Sequence, residues 1–232
     1  MVTAAVLAGG SGSRMGSDIP KQYLPVNGKP IIVYTLEKFI ENENTDYTVV
    51  AVAQSYVDYV EKLIREYFPG YEKFSVIPGG KTRSDTLMNV LEHLNEKGIS
   101  ENDVILTHDA VRPFIDGRII SDNISSALKY GACNTCVPAV DTVFISRDGE
   151  FIDEVPKRST VFHAQTPQSF RTKELYELCK KIPADVFSEL TDGCSVYTYC
   201  GKKVFMVKGS ENNIKITYPS DIKKAEIFIS GE

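Results

Sequence analysis

Short runs of apolar and β-branched residues recur at 2–7, 48–53, 74–77, 104–107, 135–140 and 204–207, with amphipathic stretches between most of them. This alternation constrains the fold more than any other feature. Residues 30–41 place Ile31, Thr35, Leu36, Phe39 and Ile40 on one helical face, and 57–67 and 84–94 show similar spacing. Strands that alternate with helices predict an α/β fold built on a mostly parallel, doubly wound sheet. Ligands of such sheets sit beyond the carboxyl ends of the strands. A last helix is expected from Pro219, with Asp221 in its first turn, to about residue 229. No repeat, low-complexity tract or linker divides the 232 residues, so one domain spanning 1–232 is expected.

One segment departs from the alternation. Residues 142–146 and 150–155 read as two extended runs joined by Arg147-Asp148-Gly149, a hairpin signal. The segment 141–156 belongs to no strand–helix unit, so it is either a projecting β-hairpin arm or an ordinary surface hairpin.

The formal net charge of -5 argues against nucleic acid as the main partner, since backbone binding needs excess Lys and Arg. It leaves room for a small anionic ligand held by a few local cations. The chain shows no apolar run of bilayer length and no secretory signal, so no membrane association and a cytoplasmic location are expected. Cys133 and Cys136 form a C-x-x-C with no second pair or nearby His to complete a zinc site, and both read as buried strand residues.

The densest chemical signal follows the first run at once: Leu7-Ala8-Gly9-Gly10-Ser11-Gly12-Ser13-Arg14-Met15-Gly16, then Pro20-Lys21-Gln22. Glycines let a backbone approach a ligand closely and aim several N–H groups at one anion. Arg14 and Lys21 add fixed positive charge, and the combination suits a triphosphate. It is not a Walker A loop, because Lys21 lies five residues past Gly16. It misses the dinucleotide fingerprint because Met15 stands where the third glycine is needed.

A second glycine turn, Gly79-Gly80-Lys81-Thr82-Arg83-Ser84-Asp85-Thr86, opens a helix whose hydroxyls and amides suit a base edge or a phosphate. After the fourth run comes Thr107-His108-Asp109-Ala110-Val111-Arg112-Pro113, with Asp109 suited to a metal or sugar hydroxyls and Arg112 to a phosphate. His108 reads as a structural residue that hydrogen-bonds a loop. Pro156-Lys157-Arg158, Gln165-Thr166-Pro167-Gln168, Thr191-Asp192 and the segment 212–217 (Asn-Asn-Ile-Lys-Ile-Thr) follow.

Taken in order, these motifs resemble the cytidylyltransferases that act on methylerythritol phosphate and on ribitol phosphate, over about residues 3–229. The resemblance implies a Rossmann-like nucleotidyltransferase fold, use of CTP with Mg2+ or another divalent cation, and a homodimer joined through the arm. It maps Leu7, Ala8, Gly9 and Gly10, with the segment Gly80–Thr86 (Gly80, Lys81, Arg83 and Thr86 in particular) and Asp109, onto the CTP pocket. It maps Arg14 and Lys21 onto transition-state stabilisation, and Arg158 and Lys215 onto positioning of the incoming phosphate. Asp109, Arg112, Thr142, Thr166 and Thr191 match positions around the polyol phosphate, and Asp109 is the candidate metal ligand. Val111, Phe114 and Pro156 look like the ribitol enzymes, whereas the spacing of Gly16 and Pro20 looks like the methylerythritol enzymes. The sequence therefore leans to ribitol 5-phosphate, with 2-C-methyl-D-erythritol 4-phosphate as the alternative. Two readings of another class stand beside it. A nicotinamide-dependent oxidoreductase conflicts with the failed dinucleotide fingerprint. A non-catalytic nucleotide-binding regulator has no need of Arg158 and Lys215.

Overall fold

Alternate residues of the first strand, β1 (Val2–Ala8), serve two different cores. Ala4, Val6 and Ala8 face one, and Ala5 faces the other. A strand buried on both faces belongs at the centre of a sheet covered by helices on each side. The computed structural model, which describes residues 1–10, 15–16 and 19–230, has that arrangement.

After β1 the chain forms a two-residue hairpin, β2 (Pro25–Val26) and β3 (Lys29–Pro30), then α1 (Ile31–Ile40). β4 (Tyr47–Val52), α2 (Val57–Tyr67), β5 (Phe74–Pro78), α3 (Arg83–Lys97), β6 (Val104–Asp109), α4 (Gly117–Tyr130) and β7 (Ala132–Pro138) follow in alternation. Then come β8 (Phe162–Arg171), α5 (Thr172–Lys181), α6 (Ala184–Glu189), α7 (Gly193–Tyr199), β9 (Phe205–Lys208) and α8 (Pro219–Ser230). The main sheet runs β5-β4-β1-β6-β8-β7-β9. Its pairs are parallel except those of β8, which is antiparallel to β6 and β7.

Helices α1, α2 and α4 cover one face, and α3, α5 and α7 the other. A smaller cluster of Val26, Ile31, Val111, Ile216 and Ala225 seats α8 against the β2–β3 hairpin. From β1 the chain winds outward to β4 and β5 and then returns to β6 on the other side. The topological switch point therefore lies between β1 and β6, where Leu7 pairs with Asp109. A crevice opens there by geometry alone.

Two expectations need correction. The run expected at 135–140 is displaced to β7, which begins at Ala132. The segment 141–156 is not a regular ladder: a single antiparallel bridge joins Ile145 and Glu154. Side chains build its turn instead, with Asp148 Oδ1 accepting from the N–H groups of Glu150 (2.9 Å) and Phe151 (3.0 Å). The apolar alternation has no face to cover, and Phe144, Ile145, Phe151, Ile152 and Val155 are all exposed.

Close packing beneath α7 gives a test of the fold. A Cβ on Gly193 would lie 2.6 Å from Cζ of Phe170, a buried ring stacked on Tyr197. Gly193→Ala is expected to destabilise by about 1–3 kcal/mol, because overpacking outweighs the gain in helix propensity. A urea midpoint equal to or above that of the parent would contradict this packing.

Candidate active site

The crevice at the switch point is a cleft of about 370 Å³. Leu7, Ala8, Gly9 and Gly10 form one wall, and Gly80, Lys81, Thr82, Arg83 and Thr86 the facing one. Asp109, Ala110 and Val111 close the floor, and Lys21, Gln22 and Lys215 complete the rim. Residues from five separate stretches of the sequence meet there. Of the expected site residues, Arg14 lies outside the described residues.

The second glycine turn is shaped by the start of α3. Thr82 caps the helix by accepting from Asp85 N–H (3.0 Å), while the Asp85 carboxylate accepts from Thr82 N–H (2.9 Å). Thr86 Oγ1 accepts from Gly80 N–H (3.0 Å) and donates to Thr82 O (2.9 Å). A Cβ on Gly80 would stand 2.1 Å from Asp85 Cβ, so no larger residue fits the turn. The amino end of α3, with its partial positive charge, thus opens into the cleft.

Charge converges on Asp109. Its carboxylate meets Arg83 Nη1 at 2.6 Å, Lys215 Nζ at 2.9 Å and Arg112 Nε at 3.5 Å. Burial opposes ionisation of this carboxyl, but Arg83, Lys215 and Arg112 prevail and hold it well below the usual carboxylate range. Among the described residues the cleft lining carries Lys21, Lys81, Arg83 and Lys215 against this single carboxylate. A polyanion is the ligand such a balance favours. Lys21 Nζ donates to Ile216 O (2.9 Å), and Ile216 N–H donates to Val111 O (2.9 Å), so the cation-bearing segments are tied to one another.

A buried relay fixes the end of β6. Asp109 N–H donates to Thr166 Oγ1 (3.1 Å), which lies 3.0 Å from His108 Nδ1, and His108 Nε2 lies 3.1 Å from Arg112 O. A carbonyl only accepts, so Nε2 carries the proton and Nδ1 accepts from the Thr166 hydroxyl. Burial pushes the His108 imidazole down to about 4, keeping it neutral. The structural role read for His108 matches these bonds.

The residues expected around the polyol phosphate are dispersed. Arg112 is buried behind Asp109 and donates to Asn213 O (2.7 Å). The Thr166 hydroxyl bonds within the relay, and Thr166 is not among the residues lining the cleft. Thr191 is exposed beside the capping residue of α7, Asp192. Thr142 and Arg158 are exposed on and beside the arm, away from the cleft lining, and Arg158 Nη1 donates to Val140 O (3.3 Å).

Comparison with known proteins decides what this cleft belongs to. The sequence model of IspD, 2-C-methyl-D-erythritol 4-phosphate cytidylyltransferase, matches residues 2–231. The chain belongs to this cytidylyltransferase family. It is accordingly an enzyme, a CTP-dependent nucleotidyltransferase. Among solved structures, 4-diphosphocytidyl-2C-methyl-D-erythritol synthase from Anaerococcus prevotii superposes with a TM-score of 0.82 at 27% identity, covering 99% of this chain and 96% of that one. The 2-C-methyl-D-erythritol 4-phosphate cytidylyltransferase of Francisella tularensis gives 0.79 at 28% identity, with 97% of each chain covered. That of Thermus thermophilus gives 0.74 at 25% identity, covering 99% of this chain and 100% of the other.

The expected Mg2+ finds no cage in this family member. Among the described residues no group of three His, Cys, Asp or Glu is arranged to hold a metal. Among the described residues Asp109 is the only carboxylate lining the cleft, and both its oxygens are paired with cations. The described residues do not fit a resident divalent ion. No helix among the described residues is long and apolar enough to cross a membrane. Gln22, Ala110 and Val111 line the cytidylyltransferase cleft without having been singled out as ligands. The motifs Pro20-Lys21-Gln22 and Asp109-Ala110-Val111 were the signal for them.

The relay predicts acid sensitivity. As pH falls from 6.5 toward 4, the unfolded chain binds a proton at His108 that the folded chain refuses, so stability is lost over that window. The loss amounts to about 3 kcal/mol. Below pH 4 the depressed Asp109 adds a loss of the same sign. Urea unfolding of the parent and of His108→Gln from pH 7.5 to 4.5 measures it. The parent is expected to lose stability more steeply, and parallel slopes would rule the relay out as the cause.

Proposed function

We propose that the enzyme transfers the cytidylyl group of CTP to 2-C-methyl-D-erythritol 4-phosphate and releases pyrophosphate. The observation that carries the reaction is the convergence of Lys21, Lys81, Arg83 and Lys215 around one carboxylate at the switch point, beside a glycine loop. The names of the relatives support methylerythritol phosphate over the ribitol phosphate to which the sequence leaned. Ribitol 5-phosphate remains the second reading on one observation: Val111, which looks like the ribitol enzymes, lines the cleft.

A phosphate oxygen of the polyol phosphate attacks the α-phosphorus of CTP in line. The new oxygen–phosphorus bond forms as the bond to the β-phosphate bridging oxygen breaks, and pyrophosphate carries away the electron pair. The attacking phosphate is already ionised at neutral pH, so no general base is needed. Catalysis is then positioning and charge stabilisation. The glycine turns and the amino end of α3 receive the nucleotide. Lys21, with Arg14, neutralises charge on the leaving pyrophosphate, and Lys215 holds the incoming phosphate. A divalent cation bound to CTP would supply further charge neutralisation on the phosphates, and no described residue of the cleft is assigned to hold it.

The two polyols separate by kcat/KM measured on one enzyme preparation, with pyrophosphate release as the signal. Methylerythritol phosphate is expected to exceed ribitol phosphate by at least about tenfold, the scale on which an apolar pocket that reads one methyl discriminates. The reverse ratio would replace the substrate and leave the cytidylyl transfer intact.

The exposed apolar side chains of the arm support a homodimer in which residues 141–156 reach the partner and Arg158 and Thr142 complete its cleft. Lys21→Ala alone is expected to lower kcat by roughly a hundredfold, the scale for losing one preorganised charge donor. Mixing that variant with Arg158→Ala then tests the arm. Mixed dimers hold one site with both cations and are expected to regain activity. Failure to regain it after proven subunit exchange would place Arg158 outside the partner's site.

A further inference from the structure

Gln22 lines the cleft yet is only 3% exposed. It follows Lys21 in a single helical turn, Lys21–Tyr23. Its carboxamide nitrogen donates to two carbonyls of the glycine loop, Ala8 O at 2.6 Å and Gly10 O at 3.1 Å. These bonds span sequence separations of 14 and 12 residues, so they hold the loop from outside it.

The chemistry of that choice follows from the ligand. A glycine-rich loop offers N–H donors to phosphate, but it carries as many carbonyl oxygens, each with partial negative charge. A carbonyl turned toward a polyphosphate repels it. In a trans peptide the C=O and the following N–H point in opposite directions. Fixing Ala8 O toward Gln22 therefore aims the Gly9 N–H the other way. The neighbouring Lys21 donates to Ile216 O.

We infer that Gln22 is a positioning residue that makes the loop selective for anions by withdrawing the Ala8 and Gly10 carbonyls from the nucleotide's phosphates. The inference rests on the reading that the loop receives the phosphates of CTP. Neighbouring residues thus divide the work: Lys21 supplies charge, and Gln22 removes opposing dipoles.

The test is a ligand series. Dissociation constants for CTP, CDP and CMP are measured by calorimetry on the parent, on Gln22→Met, which keeps the size and loses the donor, and on Gln22→His, which keeps one ring donor. Circular dichroism checks that each variant is folded. The Met variant is expected to weaken CTP by roughly tenfold or more, CDP by less and CMP least. The His variant is expected to show the same gradient at smaller amplitude. Equal losses for all three nucleotides, or none, would overturn the inference, since a purely structural residue has no reason to count phosphates. Should the Met variant fail to fold, the gradient in the His variant decides alone. A parent protein that binds CTP, CDP and CMP equally would instead remove the phosphate reading on which the inference rests.

Discussion

A buried carboxylate cannot stand alone in a protein interior, and the arrangement of this cleft follows from how Asp109 is compensated. Its position at the end of β6, opposite Leu7, is set by the sheet. Its charge is balanced by Arg83 from the start of α3, Arg112 from the following loop and Lys215 from a segment more than a hundred residues later. Removing one partner of such a group is costly, because the charge left behind remains desolvated. The carboxylate thus holds cations in place that would otherwise repel one another. When phosphates enter, they meet an array already assembled.

The backbone supports the same array. Ile216 presents its carbonyl to Lys21 and its N–H to Val111, and its side chain is buried with Val26, Ile31 and Ala225. A minor hydrophobic cluster at the edge of the molecule therefore sets the register of the segments that carry the charges. The His108–Thr166 relay does the equivalent on the other flank, where a neutral imidazole links the Asp109 backbone to that of Arg112.

Much of this was legible in the sequence, for identifiable reasons. The runs at 2–7, 48–53, 74–77 and 104–107 are continuous apolar strands, and each is found in the parallel half of the sheet. The glycine turns announced themselves through residues that only tight backbones require, and Gly80 has no room for a side chain. β8 was harder to see, because Phe162–Arg171 contains a proline and several polar residues that read as a binding motif. Gln165, Thr166, Gln168 and Ser169 are buried and bond across the fold, although Gln168 Oε1 has no partner. Gln165 donates to Ser210 O, Gln168 to Asp192, and Ser169 to Asn123. Hydropathy does not register such partners. The arm failed in the opposite sense: its alternation is real, but pairing needs a covered face, and the single chain offers none. Thr166 was read by position, and only the structure reveals that its hydroxyl is already spoken for.

The bond from Lys21 to Ile216 spans 195 positions of the chain. Contacts between such distant segments carry a loop-closure entropy that must be met before they form. A partly folded chain with β1, β4 and β6 in place would own the glycine loop but not the closed ring of charges. Nucleotide affinity is in that sense a report on completed folding. By mass action, CTP stabilises only the state in which both ends of the sequence have met, so its protection extends to the whole molecule.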